Sequence, residues 1–217
     1  MANKLIKSKS RVADFGEVFT PEFIVNNMLD LVRSETENIN SKFLEPACGN
    51  GNFLIEVLKR KLFIIKNRYK KSQHEYETNS IIAIGSLYGI DLMSDNVKEC
   101  KKRLFNSFKE MYMDLYKKNY KERLFEIAEF VLDKNIIQAD ALTMKTVGRN
   151  IRPIIFSQWS LVGSNKIKRI DYEYNSLFAN YSIFEPMEVS DLGEEAFIPK
   201  AIKDYPLTHY LNINENN

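Results

Sequence analysis

Three acidic side chains, each at the end of a short apolar segment, have the clearest potential for chemistry. Glu45, Asp91 and Asp140 follow segments that the sequence predicts to be strands. A carboxylate at a strand end can accept hydrogen bonds from ribose hydroxyls, which is the functional interpretation of Asp91. Asp140 is suited to accept from an adenine amino group, and Glu45 to bind an ammonium group. The alternatives are a helix cap or loop acid for Asp91, a turn residue for Asp140 and a surface acid for Glu45.

A turn containing two glycines follows the first of these acids. Residues 47–52 read Ala-Cys-Gly-Asn-Gly-Asn, and Gly49 and Gly51 allow a ligand to approach the backbone closely. The helix predicted after the turn offers free N–H groups to the same ligand. The pattern lacks the third glycine of the dinucleotide fingerprint, and the next strand-end acid comes later than the roughly 20 residues that fingerprint requires. A classical NAD site is therefore disfavoured, and a turn without a ligand is the alternative.

These acids and glycines belong to an alternation of strands and helices. The predicted strands are 42–46, 87–91, 135–140 and 151–159. The predicted helices are 21–35 with Thr20 as its N-cap, 53–65, a helix with Ser94 or Asp95 as its N-cap that extends to 115, and 116–134. Residues 66–80 are predicted to be a helix end and a surface loop. The alternation predicts an α/β fold with a mainly parallel sheet, in which ligands bind beyond the carboxyl ends of the strands.

The composition is typical of a soluble globular protein. Hydrophobic residues make up 44% and charged residues 28% of the 217 residues, and the net charge of +2 neither requires nor excludes a nucleic-acid partner. We expect a flexible basic arm at 1–14, an α/β domain at 15–160 and a C-terminal extension at 161–217. Two cysteines and two distant histidines build no disulfide framework and no zinc pattern. No signal peptide or membrane span is recognisable, so we predict a cytoplasmic location.

Four segments, in order, resemble the motifs of a known family. Residues 44–53, Leu-Glu-Pro-Ala-Cys-Gly-Asn-Gly-Asn-Phe, closely resemble the S-adenosylmethionine-binding motif of the DNA adenine-N6 methyltransferases of restriction–modification systems. Residues 16–21 are similar to the motif that precedes it, 88–91 to the ribose-binding motif and 138–142 to the adenine-contacting motif. The resemblance covers about residues 15–145. It implies a Rossmann-like S-adenosylmethionine-dependent methyltransferase fold that is incomplete on its C-terminal side.

The resemblance also implies roles for individual residues. The residues that it places around S-adenosyl-L-methionine are Phe19, Thr20, Pro21, Glu45, Pro46, Ala47, Gly49, Gly51, Asp91, Leu92, Asp140 and Ala141. Thr20 would meet the methionyl carboxylate and Glu45 the methionyl amino group. Asp91 would bind the ribose hydroxyls, Asp140 the adenine amino group, and Leu92 would pack on the adenine ring. Cys48 is expected to be buried and without a chemical role.

The catalytic motif of that family does not occur in the chain. The motif is Asn or Asp, two prolines and an aromatic residue; it orients the target amino group and stacks on a base extruded from the duplex. The six prolines of the chain include no adjacent pair. The segment Ser157-Gln158-Trp159 is a poor substitute, and we interpret Trp159 as a core residue. No catalytic residue and no metal ligand is assigned.

A cofactor motif without a catalytic motif implies a partner. We expect a cofactor-binding subunit or fragment that works with a second chain, which supplies the catalytic motif and target recognition and through which DNA is bound. One alternative is a degenerate methyltransferase fold that acts as a regulatory or interaction module. Another, a complete small-molecule methyltransferase, is disfavoured because no acid–base cluster follows the third strand. The basic cluster Lys166, Lys168 and Arg169 is interpreted as a solvated hairpin edge rather than a phosphate contact.

Overall fold

Groups of helices alternate with single strands as far as Asp140, and further strands follow in the described residues beyond it. The structure of the chain, a computed structural model, describes residues 5–177, 188–189, 195–196 and 201–215. The helices within these ranges are α1 (Lys9–Phe15), α2 (Glu22–Asp30), α3 (Arg33–Glu37), α4 (Asn52–Tyr69), α5 (Gln73–Gly85), α6 (Ser94–Tyr116) and α7 (Glu122–Asn135). The strands are β1 (Phe43–Glu45), β2 (Leu87–Asp91), β3 (Ile136–Asp140), β4 (Lys145–Thr146), β5 (Ile155–Val162), β6 (Lys166–Glu173), β7 (Glu188–Val189), β8 (Glu195–Ala196), β9 (Ala201–Asp204) and β10 (Thr208–His209). The predicted α/β class is confirmed.

β1, β2 and β3 form the parallel part of the main sheet. β1 pairs with β2, and β2 with β3, in parallel orientation. β4 adds to β3 in antiparallel orientation, so the order among the described residues is β1-β2-β3-β4. The first three predicted strands are confirmed. Because parallel strands end at the same edge of a sheet, Glu45, Asp91 and Asp140 come to one edge.

A strand, β5, forms at the fourth predicted segment, but it does not join the mainly parallel sheet that the alternation predicts. β5 pairs antiparallel with β6 along its whole length, beginning with Ile155 opposite Glu173, and the connecting turn contains Gly163 with φ +66°. β9 and β10 also pair with β6. Two consecutive eight-residue strands joined by a short turn satisfy each other's backbone groups locally. A parallel partner would require a long crossover connection instead.

The principal hydrophobic core lies among α4, α5, α6 and α7. Its aromatic centre contains Tyr76, Phe108 and Tyr112, with centroid distances of 6.0 Å between the two tyrosines and 5.7 Å between Phe108 and Tyr112. The surface loop predicted within 66–80 is wrong, because α4 continues to Tyr69 and α5 begins at Gln73. The charged and polar residues of this stretch include buried side chains whose partners lie far away in the sequence.

The predicted flexible arm contains a docked helix in its described part, from residue 5 onward. Ser8 caps α1 by accepting a hydrogen bond from the Arg11 backbone N–H at 3.2 Å. Lys7 and Arg11 donate to Asp95 on α6 at 2.9 and 2.6 Å. The Arg11 guanidinium, with a smaller contribution from Lys7, holds the pKa of Asp95 below its usual range. These long-range ion pairs order a segment that has no apolar periodicity.

The helix predicted at 21–35 is divided in two. α2 ends at Asp30 and α3 begins at Arg33, because Val32 between them has a non-helical backbone with ψ 39°. Pro21, not Thr20, is the N-cap of α2, and it makes no side-chain cap hydrogen bond. The predicted helices around 94–134 are confirmed in outline, with Met93 rather than Ser94 or Asp95 as the N-cap of α6.

The basic cluster on β6 is only partly solvated, so its interpretation as a solvated edge is wrong for Arg169. Arg169 is buried and donates two hydrogen bonds to Asp171, at 2.9 and 2.8 Å. Trp159 is buried as predicted and packs edge-on against Phe130 with a centroid distance of 6.0 Å. Among the described residues, no helix combines the length and apolar character of a membrane span.

Lys61 predicts a pH dependence of stability. Its fully buried ammonium group donates to the carbonyl groups of Ile39, at 3.3 Å, and Ser41, and to Ser86 Oγ at 2.6 Å. Burial lowers the pKa of Lys61 from 10.5 to about 7. Between these values the unfolded chain holds a proton that the folded protein has released. The free energy of unfolding is therefore expected to rise with pH in this window, by at most about 1.4 kcal/mol per pH unit.

Urea unfolding of the wild type and Lys61→Met at several pH values tests this expectation. The destabilisation caused by Lys61→Met should grow from pH 7 towards pH 10, because only the wild type gains from the proton release. The comparison ends there because burial raises the pKa of Tyr76 above its usual 10, which opposes folding at higher pH. A difference between the proteins that is independent of pH would contradict the prediction.

Candidate functional site

A cavity of about 500 Å³ lies at the carboxyl edge of the main sheet. Its walls are the loop after α1, the glycine turn between β1 and α4, and the ends of β2 and β3. Ten of the twelve residues predicted to surround a cofactor line it, namely Phe19, Thr20, Glu45, Pro46, Ala47, Gly49, Asp91, Leu92, Asp140 and Ala141. The structure thus brings parts of all four sequence motifs to one cavity.

The other two predicted residues, Pro21 and Gly51, do not line the cavity. Pro21 caps α2. Gly51 is buried with φ +89°, and a Cβ atom there would lie 2.6 Å from Cys100 Sγ on α6. The structure therefore explains Gly51 by the close packing of the turn against α6.

The glycine turn is held against β2 by backbone hydrogen bonds. The Cys48 N–H donates to the Ile90 carbonyl at 2.9 Å, and the Gly51 N–H donates to the Cys48 carbonyl at 2.8 Å. Gly49 has φ +53°, and a Cβ atom there would lie 3.1 Å from the Phe19 ring. Glycine at this position therefore lets the backbone adopt a left-handed conformation beside the loop that closes the cavity.

Asp91 connects the glycine turn with the start of α6. Its Oδ2 accepts from the Gly49 N–H at 2.9 Å. Its Oδ1 accepts from the Met93 N–H at 2.8 Å and from Asn96 Nδ2 at 3.1 Å. The carboxylate is thereby fixed at the cavity wall, with Oδ1 fully used and Oδ2 free to accept a second bond.

Glu45 is half-buried at the base of the cavity. Burial raises the pKa of its carboxyl group, and a hydrogen bond from the Ala47 backbone N–H partly opposes this. A positively charged group bound beside Glu45 would stabilise its ionised form. The partial burial distinguishes this acid from an ordinary surface carboxylate.

Asp140 and two leucines form the opposite wall. Asp140 Oδ1 accepts from the Leu142 N–H at 2.9 Å, and this bond is the largest cause of a lowered pKa of Asp140. Asp140 is therefore a turn residue, as the alternative interpretation predicts, and it also lines the cavity. Leu92 and Leu142 have exposed fractions of 45% and 93%. Two exposed apolar side chains that line the cavity are suited to contact a flat apolar ring.

The loop that closes the cavity is tied to the glycine turn by residues that the sequence reasoning missed. Asn52 donates from Nδ2 to the Thr20 carbonyl at 2.8 Å and accepts from Arg103 at 2.8 Å. Glu17, two residues before Phe19 in the loop, also lines the cavity. Both Asn52 and Glu17 belong to segments already singled out as motifs, so their polar character was the available signal.

The two cysteines are buried and free. A hydrogen bond with Cys100, followed by burial, raises the pKa of Cys48, so its thiol stays protonated. The expectation that Cys48 is buried is confirmed. Among the described residues, no group of three or more His, Cys, Asp or Glu side chains is arranged to hold a metal ion.

Comparison with known proteins identifies the family. The family model described as N-6 DNA Methylase matches residues 5–114, about half of the chain, and so includes the motifs at 16–21, 44–53 and 88–91. No curated protein and no solved structure gives a significant match. With the cavity formed from these same motifs, the match means that the chain belongs to the N-6 DNA methylase family through its N-terminal part.

Proposed function

We propose that the chain binds S-adenosyl-L-methionine as a subunit or fragment of a DNA adenine-N6 methylation system of the restriction–modification type. Family membership supports a methyltransferase-like function, and the family generally uses this cofactor. The observation that carries the proposal is the single cavity that collects the glycine turn and the three strand-end acids. Its volume of about 500 Å³ falls in the range of roughly 300–1,000 Å³ found for small-molecule sites.

The methionyl end of the cofactor would lie between the loop and the end of β1. Thr20 would meet the carboxylate, and Glu45 would meet the ammonium group directly or through water. The partial burial of Glu45 favours the binding of a cation beside it, since a paired positive charge offsets the cost of holding a carboxylate away from water. Phe19, which is buried beside Gly49, would close this end of the cavity.

The nucleoside end would lie between β2 and β3. Asp91 Oδ2 retains an acceptor position for a ribose hydroxyl, because it receives only the Gly49 N–H within the described part of the chain. Asp140 Oδ1 is used by its own turn, and the other oxygen would accept from the adenine amino group. Leu92, exposed at the rim, would pack on the adenine ring. The bound cofactor would supply the methyl group for transfer.

We further propose that the parallel sheet is part of a Rossmann-like methyltransferase fold. The C-terminal side of that fold, which carries the catalytic motif in the family, is not included in this sheet. Residues 15–160 would form the cofactor-binding part and 161–217 an extension, although β5 itself spans that boundary. The extension is anchored to the helices, since Tyr210 and Ile213 join the principal core. What supports the proposal is the three parallel strands with acids at their carboxyl ends.

A second chain that supplies the catalytic motif and target recognition is the proposed partner. The support comes from the sequence, since residues 141–217 contain no pair of adjacent prolines after Asn or Asp. DNA would be contacted through that complex. A regulatory module without cofactor is the competing function, and cofactor binding separates the two.

Thermal unfolding with S-adenosylhomocysteine, the demethylated cofactor, tests the proposal. At roughly 100 times its dissociation constant, the ligand should stabilise the wild type by about 2.7 kcal/mol and raise the melting temperature. Asp91→Asn should weaken binding by about 1.5 to 3 kcal/mol, because it replaces a charged acceptor of the ribose by a neutral amide. Calorimetric titration of both proteins measures the two affinities.

Asp114→Asn is the matched control for this experiment. Asp114 is exposed on α6, does not line the cavity and undergoes the same chemical change. The control should bind as the wild type does. No thermal shift of the wild type at millimolar ligand would refute cofactor binding and favour the regulatory module. Equal affinities of wild type and Asp91→Asn would refute the ribose contact alone.

A further inference from the structure

Glu17 lines the cavity and carries one buried carboxylate oxygen that has no hydrogen-bond partner among the described residues. Its side chain is nine-tenths buried, with an exposed fraction of 9%, and it lines the cavity. Oε2 accepts from Arg11 and from Asn96 Nδ2, the latter at 2.9 Å. Oε1 is buried and receives no hydrogen bond from any residue that the structure describes. A buried, unpaired carboxylate oxygen is costly unless a ligand provides the missing donor.

Asn96 places Glu17 beside Asp91. The Nδ2 atom of Asn96 donates both to Glu17 Oε2 and to Asp91 Oδ1, so the two carboxylates approach the same nitrogen. The orientation of the amide is fixed, because its Oδ1 accepts from Lys7 Nζ at 2.7 Å. Asn96 itself is buried, with an exposed fraction of 1%. The two carboxylates therefore form a rigid pair at one end of the cavity.

Asp91 alone does not have enough free acceptor positions for both ribose hydroxyls. Two neighbouring hydroxyl groups need two acceptor positions if both donate. Asp91 Oδ1 already receives two N–H groups, and Oδ2 receives one, which leaves a single position. Glu17 Oε1 is the next free acceptor on the rigid pair.

We propose that Glu17 is a second hydroxyl-binding carboxylate of the site. Its Oε1 accepts a hydrogen bond from one ribose hydroxyl while Asp91 Oδ2 accepts from the neighbouring one. The inference rests on the proposed function, because it assigns a further contact to the same ligand. Arg11, bonded to Oε2, compensates the charge of Glu17, so the two acids can lie close together without a large repulsion.

Calorimetric titration with three ligands tests this role. The ligands are S-adenosylhomocysteine and its 2′-deoxy and 3′-deoxy analogues. The wild type should bind each deoxy analogue about 10- to 100-fold more weakly than the parent, because each hydroxyl donates to its own charged acceptor. Glu17→Gln should bind the parent about 10-fold or more weakly and should no longer distinguish it from one of the two analogues.

Asp95→Asn is the control for indirect effects on the loop. Asp95 binds the same Arg11 but is half-exposed and does not line the cavity. It should change all three affinities by less than about fivefold, as expected for a half-exposed ion pair, and should preserve both discriminations. The melting temperature of each variant without ligand reports on folding separately.

Several outcomes would overturn the inference. If Glu17→Gln keeps both discriminations, Oε1 does not contact a hydroxyl. If it weakens all three ligands equally, or Asp95→Asn weakens them as strongly, Glu17 only supports the loop through Arg11. Absence of binding by the wild type would instead refute the proposed function, and this inference with it.

Discussion

The purified chain alone is expected to transfer no methyl group to duplex DNA above background. N6 transfer requires a positioned acceptor pair for the adenine amino group and an aromatic side chain for the extruded base. Positioning of this kind is worth roughly 7 to 11 kcal/mol, so a bound cofactor without it should be nearly inert. Transfer of a labelled methyl group from S-adenosyl-L-methionine to DNA measures the effect, with and without a candidate partner chain that carries the motif.

The control for this experiment is the complex that contains Asp91→Asn, which should lose activity at low cofactor concentration if this chain supplies the cofactor. Robust methylation by the chain alone would contradict the prediction. The segment at 157–159 cannot readily account for such activity, because Ser157 and Trp159 are both buried. The Ser157 hydroxyl moreover donates a hydrogen bond to Asp171 Oδ1 at 2.6 Å, which removes it from contact with a substrate.

The part of the fold that the sequence predicts well is the part governed by local signals. β1, β2 and β3 are short apolar segments that end in an acid, and the glycine turn fixes how β1 leads into α4. Parallel pairing then forces the three acids to one edge without further information. For this reason ten of the twelve predicted site residues line one cavity.

The residues that the sequence does not reveal are polar groups buried by distant partners. Glu17 and Asn96 are 79 residues apart and become neighbours only when the N-terminal loop docks on α6. Likewise, whether β5 pairs with β6 or with a strand of the main sheet is decided by the relative stability of the two pairings. A hydropathy pattern assigns such polar residues to the surface, because it does not include the specific hydrogen-bond partner that allows a polar side chain to be buried.

Glu77 is the clearest case, because its polar character favours the surface loop that the sequence predicts within 66–80, where α5 begins. The side chain is fully buried. Its Oε1 accepts from Tyr112, and its Oε2 accepts from Lys121 and Tyr210, both at 2.6 Å. Tyr210 lies 133 residues away along the chain. Glu77 therefore joins α5, α6, the start of α7 and the C-terminal segment in one network.

Glu77→Ala is expected to destabilise the protein by about 3 to 5 kcal/mol, the cost of breaking a buried charged network by removing one partner. That is a large share of a typical stability of roughly 5 to 15 kcal/mol. Lys121 has a side chain that is 42% exposed and is partly screened, so most of the loss comes from the buried hydroxyls of Tyr112 and Tyr210. Urea unfolding at neutral pH measures the change.

Glu75→Ala, on the exposed face of the same helix turn, is the matched control and should cost less than about 1 kcal/mol. Burial alone would raise the pKa of Glu77, but hydrogen bonds from Lys121, Tyr112 and Tyr210 outweigh it and lower the pKa. The stability that ionised Glu77 contributes is therefore present above its ordinary pKa of 4.5 and is lost as the pH falls through the lower folded value. The difference between wild type and Glu77→Ala should shrink in acid. A small difference at neutral pH, or one that grows in acid, would show that Glu77 is not the anchor of the C-terminal segment.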